Sequence, residues 1–379
     1  MRIAIVTLWG TNDNYGQVLQ NFALQQYLIS IGHECFTIRY QPQAQVKSRL
    51  LIFADRVINK LNSYTANGKK KREEARLWKM NAEVSKKRKF DVFKDEYLHY
   101  TPVITDYEQL KHLSADVFVV GSDQVWNISP DDSIAKYRYL QFATGKCLSY
   151  AASMGKAKFT DKEIKAFEQL TSHFSAISIR EKDSCDYISS HSTCQCEWVL
   201  DPTFLLSEQA YRQILNLTET QGPDIFVYAL NIDDYSEIYG DLIETHCQNS
   251  GLNMSLCCST GYKPYRELSE LHPIQQYSIE QWLQSIANAK KVITTSFHGI
   301  AFSLIFGKDF IYIPLGNANS TANNRVISLL THLGLDSNIA YTREQFTDRL
   351  NKVVNVNYIV REEIKCLADS SKQFLIANI

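Results

Sequence analysis

Ile293-Thr294-Thr295-Ser296-Phe297-His298-Gly299 closes one kind of local structure and opens another. Upstream, Val292 to Thr295 is a β-branched run that reads as a buried strand. Downstream, Ile300 to Phe306 is apolar and reads as a buried helix. A strand that runs directly into a helix is the repeating joint of an α/β sheet. Open sheets of that class bind ligands at the carboxyl ends of their strands. The first turn of a helix also leaves backbone N–H groups unpaired, and these attract anions. His298 and Ser296 therefore stand where such folds do their chemistry. A core histidine beside a helix start is the structural alternative.

The same joint recurs along the chain. Arg2 to Leu8 reads as a buried strand, Gly16 to Ile31 as a helix closed by Gly32, and His33 to Tyr40 as a second strand. Further strands are expected at Asp116–Val120, Leu148–Ser153, Ser175–Ile179 and Glu197–Leu200. A second series starts at Asp224–Leu230 and continues through strands Asn253–Cys258, Lys291–Thr295 and Phe310–Ile313. Helices are expected over 233–249, 279–289 and 300–306, and through most of the tail from Glu344. The expected fold is α/β: two Rossmann-like domains with parallel sheets facing across a cleft. The first spans 1–210, with a basic helical insertion at about 46–97, and the second spans 222–379. The polar stretch from Leu206 to the Gly222-Pro223 turn carries the boundary. The final helix is free to pack back on the first domain.

Composition sets outer limits. The 379 residues suffice for two domains, and 45% hydrophobic with 21% charged residues suits a soluble globular chain. MRIAIVTLWG reads as a strand rather than a signal peptide, because its apolar part is short and runs into polar Thr11 to Asn14. No apolar stretch reaches membrane-spanning length. Nine scattered cysteines suggest reduced thiols and a cytoplasmic, metal-free protein. The net charge of −1 hides an asymmetry: Lys47 to Lys89 holds 14 basic and four acidic residues. Ser48 to Leu61 can form an amphipathic helix, flanked by Lys69-Lys70-Lys71-Arg72 and Lys86-Lys87-Arg88-Lys89. Peripheral docking on the anionic inner face of a membrane is the expected use of that segment. A solvated insertion, or a face for a second subunit, is the alternative.

Polar residues cluster at the expected strand ends. Trp9 to Gly16 links the first strand to its helix, and Asn14, Tyr15 and Gly16 are expected to line the cleft. This loop is neither GxGxxG nor a P-loop, so it is no nucleotide signature. Gly121-Ser122-Asp123-Gln124 follows four apolar residues; Asp123 can bind or deprotonate a sugar hydroxyl, with Ser122 and Gln124 beside it. Capping of the next segment is the plainer role for Asp123. Arg180, in Ile177-Ser178-Ile179-Arg180-Glu181, offers a bidentate grip on carboxylate or phosphate, or a simple ion pair. Asp201-Pro202-Thr203 reads as a structural turn. Arg325 opens a helix, where it opposes the helix dipole and is free to reach an anion.

Taken together these segments resemble the polysaccharide pyruvyl transferase family. The matching residues are Asn14-Tyr15-Gly16 with Leu19-Gln20 and Ala23-Leu24, Val120 to Trp126, Tyr150 to Ser153, Ile179-Arg180-Glu181, Leu200 to Thr203, and Ser296 to Gly299. They occur in the family's order; the segments GSDQVWN and SFHG are the specific ones. The resemblance implies a fold like the GT-B glycosyltransferases. It implies transfer of the enolpyruvyl moiety of phosphoenolpyruvate to a sugar as a cyclic ketal, with phosphate released and no cofactor. On placement at strand ends and helix starts, His298 and Asp123 are the expected catalytic residues and Arg180, Ser296, Phe297, Gly299 and Arg325 the expected donor-binding residues; the resemblance adds that Arg180 matches the family's anion-binding arginine. Partners are then phosphoenolpyruvate and a surface glycan or its lipid-linked precursor, not nucleic acid. In one respect the chain departs from the pattern. Better-studied branches carry an arginine where Ser296 stands, so Arg180, Lys308 or Arg325 must supply that charge, or the donor differs. Two other functions fit the same fold: glycosyl transfer from a nucleotide-sugar, and a non-catalytic scaffold in glycan assembly.

Overall fold

The computed structural model describes all residues except 12, 43–85, 128, 130–131, 233, 259–273, 317–319, 321 and 353–357. The first half builds a sheet from β1 (Arg2–Val6), β2 (Glu34–Thr37), β3 (Val117–Val120), β4 (Lys146–Ser149), β5 (Phe174–Ile179) and β6 (Cys196–Trp198). The second half builds another from β7 (Ile225–Ala229), β8 (Met254–Cys258), β9 (Lys291–Thr294) and β10 (Asp309–Tyr312). Helices intervene. In chain order they are α1 (Tyr15–Ser30), α2 (Phe90–Tyr97), α3 (Asp161–Thr171), α4 (Lys182–His191), α5 (Glu208–Ile214), α6 (Gly240–Ser250), α7 (Ile279–Asn288), α8 (Phe297–Ile305), α9 (Asn324–His332), α10 (Arg343–Leu350) and α11 (Tyr358–Asn378).

All pairings between named strands are parallel. The orders are β2-β1-β3-β4-β5-β6 and β10-β9-β7-β8. Each sheet therefore reverses direction after its first strand, between β1 and β3 and between β7 and β9. Those switch points open a crevice at the carboxyl ends, where doubly wound sheets take their ligands.

Burial alternates along the strands with a period of two. Ile3 and Ile5 of β1, Phe226 and Tyr228 of β7, and Phe310 and Tyr312 of β10 share one apolar core. Ala4 and Val6 face a second core on the outer side of the first sheet. Ile225, Val227 and Ile311 face a third on the outer side of the second sheet. Both faces of both sheets are covered, so the strands read as continuous apolar runs. The first core joins the two halves. It includes α1 side chains such as Phe22, α7 residue Trp282 and α8 residue Phe302.

Several details differ from the sequence expectation. Tyr15, expected to line a cleft, is fully buried. Its ring stacks on Trp282 at 5.0 Å, and its hydroxyl donates to the Tyr277 carbonyl at 2.7 Å. A large ring placed between two halves gains more from packing than from facing solvent. The polar stretch from Leu206 to Gly222 contains α5, whose Tyr211 is fully buried and donates to the Thr203 carbonyl. The final helix, α11, does reach back, in keeping with the option the sequence leaves open: its Ser371 Oγ accepts a bond from the Leu200 backbone N–H at 2.9 Å.

The segment 48–61 and the Lys69–Arg72 cluster lie outside the described residues. Of the last basic cluster, Lys86, Lys87 and Lys89 are exposed. Arg88 is not: it is fully buried, with its guanidinium 5.5 Å from the Tyr15 ring. It donates to the Cys258 carbonyl at 2.5 Å and to Gln276 at 3.0 Å. Arg88 therefore ties the chain before α2 to the second sheet instead of extending a membrane-facing cluster. Among the described residues no helix is long and apolar enough to cross a membrane.

Candidate active site

The two switch points meet. α1 begins just after β1, with Asn14 Oδ1 accepting from the Gln17 backbone N–H at 3.2 Å. α8 begins just after β9. Thr294 Oγ1 donates to the Tyr228 carbonyl at 2.7 Å and accepts from the Ser296 backbone N–H at 3.0 Å, which fixes the turn. Ser296 is the N-cap residue of α8 but makes no side-chain cap bond. The first-turn N–H groups thus lack side-chain capping and present the positive end of the helix.

Two glycines make this joint possible. A Cβ on Gly16 would fall within the His298 ring, 2.6 Å from Cε1 and closer to Nδ1 and Cγ. The imidazole therefore rests on the bare backbone of α1. A Cβ on Gly299 would meet the Thr294 side chain, so that glycine lets α8 lie against β9. Its part is helix–strand packing.

His298 is buried, and its Nε2 lies 3.6 Å from Asp201 Oδ2, beyond hydrogen-bond reach. Asp201 is fully enclosed and serves donors on both oxygens. Oδ1 accepts from the Thr203 backbone N–H at 3.0 Å and from Thr203 Oγ1 at 2.9 Å. Oδ2 accepts from Ser122 Oγ at 3.0 Å and Arg180 Nη1 at 2.8 Å. Burial by itself raises a carboxyl pKa. Here His298, Arg180 and the Thr203 N–H outweigh it and hold Asp201 well below the usual carboxylate range.

Arg180 is likewise enclosed. Its Nη1 contacts Asp201 and, at 3.3 Å, Ser122 Oγ, while its guanidinium lies 4.8 Å from the centre of the Phe297 ring. Burial opposes the charge, but the carboxylates of Asp201, Glu181 and Asp123 more than offset it and raise the guanidinium pKa. Nε and Nη2 have no hydrogen-bond partner among the described residues; Glu181 Oε1 is 3.7 Å from Nε. Glu181 is held in turn by Ser153 Oγ at 2.5 Å.

Asp123 has φ of +71°, a left-handed conformation that costs a non-glycine residue of order 1–3 kcal/mol, less for Asp than for most. Its Oδ1 accepts from the Gln124 backbone N–H at 2.9 Å and its Oδ2 from Gln17 Nε2 at 3.0 Å. Both the capping contact and a placement beside α1 are therefore present. Gln124 is half-buried and Ser122 fully buried, so Ser122 supports Asp201 rather than lining open space.

Two of the candidates for the charge missing at Ser296, Arg180 and Arg325, lie beside one another. Arg325, at the start of α9, lines a narrow pocket with Arg180, Asp201 and Phe297. Ser328 of α9 donates to Asp183 of α4, which brings that helix to the first sheet. Burial, then the neighbouring Arg180 charge, lowers the Arg325 guanidinium pKa. Lys308 is excluded as the substitute. It follows the far end of α8, about 12 Å along the axis from His298, and its charged neighbours are Glu208, Arg212, Arg361 and Glu219.

The sequence reads Asp201 as a turn and Glu181 as an ion-pair partner of Arg180; both fall in segments that carry the family resemblance, but neither is given a role in the site. The signal for Asp201 was its place just beyond a short strand, the same kind of position as Asp123 and His298.

A model of the polysaccharide pyruvyl transferase family matches residues 14–317. No curated protein matches the chain. Among solved structures, UDP-GlcNAc 2-epimerase from Neisseria meningitidis, bound to UDP-GlcNAc, is 10% identical with a TM-score of 0.44, covering 100% of both chains. The Methanocaldococcus jannaschii UDP-GlcNAc 2-epimerase, in complex with UDP-GlcNAc and UDP, is 13% identical with a TM-score of 0.48, over 97% of this chain and 100% of that one. An alpha-glucosyltransferase in complex with UDP and DNA is 10% identical with a TM-score of 0.48, over 99% and 92%.

Proposed function

The chain belongs to the polysaccharide pyruvyl transferase family, and on that premise we propose that it builds a pyruvate ketal on a sugar from phosphoenolpyruvate. The methylene carbon of the donor gains a proton, which leaves an oxocarbenium-like centre at C2. One sugar hydroxyl attacks C2, phosphate departs, and a second hydroxyl of the same sugar closes the ring. The net change is one donor and one diol giving one ketal and one phosphate.

His298 is the acid/base in this scheme. It sits at the first turn of α8 with Asp201 beside it, and histidine exchanges protons near neutral pH. Arg180 and Arg325 hold the donor's carboxylate and phosphate, with the α8 N-terminus adding unpaired N–H groups. Asp123 addresses the acceptor hydroxyls. The observation that carries the reading is the edge of Arg180 left without hydrogen bonds, although the Glu181 carboxylate stands 3.7 Å from Nε. Its Nη1 is fixed, while Nε and Nη2, the fork that matches a carboxylate, have no hydrogen-bond partner among the described residues.

Glycans of this kind are often assembled on lipid carriers, and the basic segment Lys47–Lys89 supplies a means of docking at an anionic membrane. Flotation with anionic and neutral liposomes tests that. Charge reversal is confined to Lys86, Lys87 and Lys89, since Arg88 is buried. Equal partitioning on both lipids, or no response to the reversal, rules docking out. The function itself is tested by thermal-shift titration with phosphoenolpyruvate and with nucleotide-sugars. Stabilisation by phosphoenolpyruvate supports pyruvyl transfer, and stabilisation only by a nucleotide-sugar supports glycosyl transfer.

A further inference from the structure

We propose that Asp201 is a positioning residue that sets the donor-binding edge of Arg180, so that this buried anion strengthens the binding of an anionic substrate. The proposal rests on the donor reading above.

The argument starts from the hydrogen-bond inventory of a carboxylate. Asp201 has two oxygens and meets only donors: the Thr203 N–H and hydroxyl on Oδ1, Ser122 Oγ and Arg180 Nη1 on Oδ2. The side chain is fully enclosed, so water does not substitute for either set. Thr203 anchors one end of the carboxylate to the backbone after β6. The other end then fixes Nη1, and a planar guanidinium fixed at one nitrogen and packed against Phe297 has little freedom left. Its Nε and Nη2 are held in place before any ligand arrives.

Electrostatics alone predicts the opposite sign. A carboxylate near an anion site repels the incoming anion, so neutralising it should tighten binding. The Asp201→Asn variant separates the two effects. An amide has one accepting oxygen where the carboxylate has two, so its NH₂ must face either the Thr203 N–H or the Arg180 and Ser122 donors. Either orientation loses an N–H donor, that of Thr203 or that of Arg180, since only the two hydroxyls can turn to accept from the amide, while the shape of the side chain is kept.

The test is calorimetric titration of the full-length protein with phosphoenolpyruvate, alongside a donor-free measurement. Asp201→Asn is expected to weaken binding about tenfold, by loss of a charge-assisted bond to Arg180. Arg180→Ala also weakens binding, and the double variant binds no worse than Arg180→Ala alone, because the two residues act as one unit. Ser122→Ala keeps the carboxylate charge but loosens its hold, and weakens binding about threefold. This variant decides the matter where Asp201→Asn fails to fold. Binding by Asp201→Asn as tight as wild type or tighter, or additive losses in the double variant, overturns the proposal. Unchanged binding in Ser122→Ala does the same. The donor-free measurement is hydrogen exchange at Arg180 Nε–H by NMR, which is expected to quicken in Asp201→Asn. Wild-type protein that ignores phosphoenolpyruvate defeats the donor reading; unchanged exchange in Asp201→Asn defeats the positioning role by itself.

Discussion

Gly16→Ala perturbs the site through one methyl group. An ideal Cβ at that position stands 2.6 Å from His298 Cε1, against an ordinary contact of 3.4–4 Å, and it is nearer still to Nδ1 and Cγ. The ring or the helix must therefore move by more than about 1 Å to restore ordinary contact. The neighbour is a buried imidazole with Phe297 and Asp201 close by, not the loose end of a long chain. Alanine gains up to about 1 kcal/mol over glycine in a helix, which offsets part of the strain in global stability. A misplacement of about 1 Å at a catalytic group costs on the order of 10² in rate. Gly16→Ala is thus expected to lose about 10² in turnover while its thermal midpoint shifts little and phosphoenolpyruvate affinity is kept. The assay is phosphate release on an acceptor that the wild-type protein turns over, with calorimetry for the donor. Turnover within twofold of wild type in a folded variant refutes the claim that the His298 seat on α1 matters to the chemistry.

Four further outcomes are expected. His298→Ala lowers turnover by about 10²–10⁴ with the fold intact by circular dichroism, as loss of a general acid/base does. Arg180→Lys keeps the charge but loses the fork, so donor affinity falls in calorimetry, though less than in Arg180→Ala. Asp123→Asn tolerates the left-handed backbone and retains an acceptor for the Gln124 N–H, so it raises the acceptor KM more than the donor KM; a large stability loss with normal kinetics instead assigns Asp123 to capping. Asp201 has its folded pKa depressed, so its contribution to stability is present above the ordinary carboxyl value of 3.8 and is lost as pH falls towards the folded value. In denaturant titrations, the gap between wild type and Asp201→Asn is therefore widest near neutrality and narrows below about pH 4.

The strands and their carboxyl ends were legible because both faces of each sheet are buried, which writes apolar runs into the sequence. His298, Asp123 and Arg180 were legible as polar residues that end those runs. What joins them was not. The seat of His298 on Gly16 links residues far apart in the chain, and no local pattern announces it. Asp201 looked like an ordinary Asp-Pro turn, because its cap to Thr203 is local and its bonds to Ser122 and Arg180 are not. Arg88 was hidden in a basic run; only tertiary packing shows one guanidinium against Tyr15 while its lysine neighbours stay in water. The polar composition around α5 concealed Tyr211, the one fully buried residue within that helix.

The most direct measurement is incubation with phosphoenolpyruvate and a panel of glycan acceptors, read by mass and by phosphate release. The account predicts an acceptor heavier by one pyruvate less one water, one phosphate released per transfer, and loss of both signals in His298→Ala. Glycosyl transfer from a nucleotide-sugar, with no ketal formed from phosphoenolpyruvate on any acceptor, contradicts it.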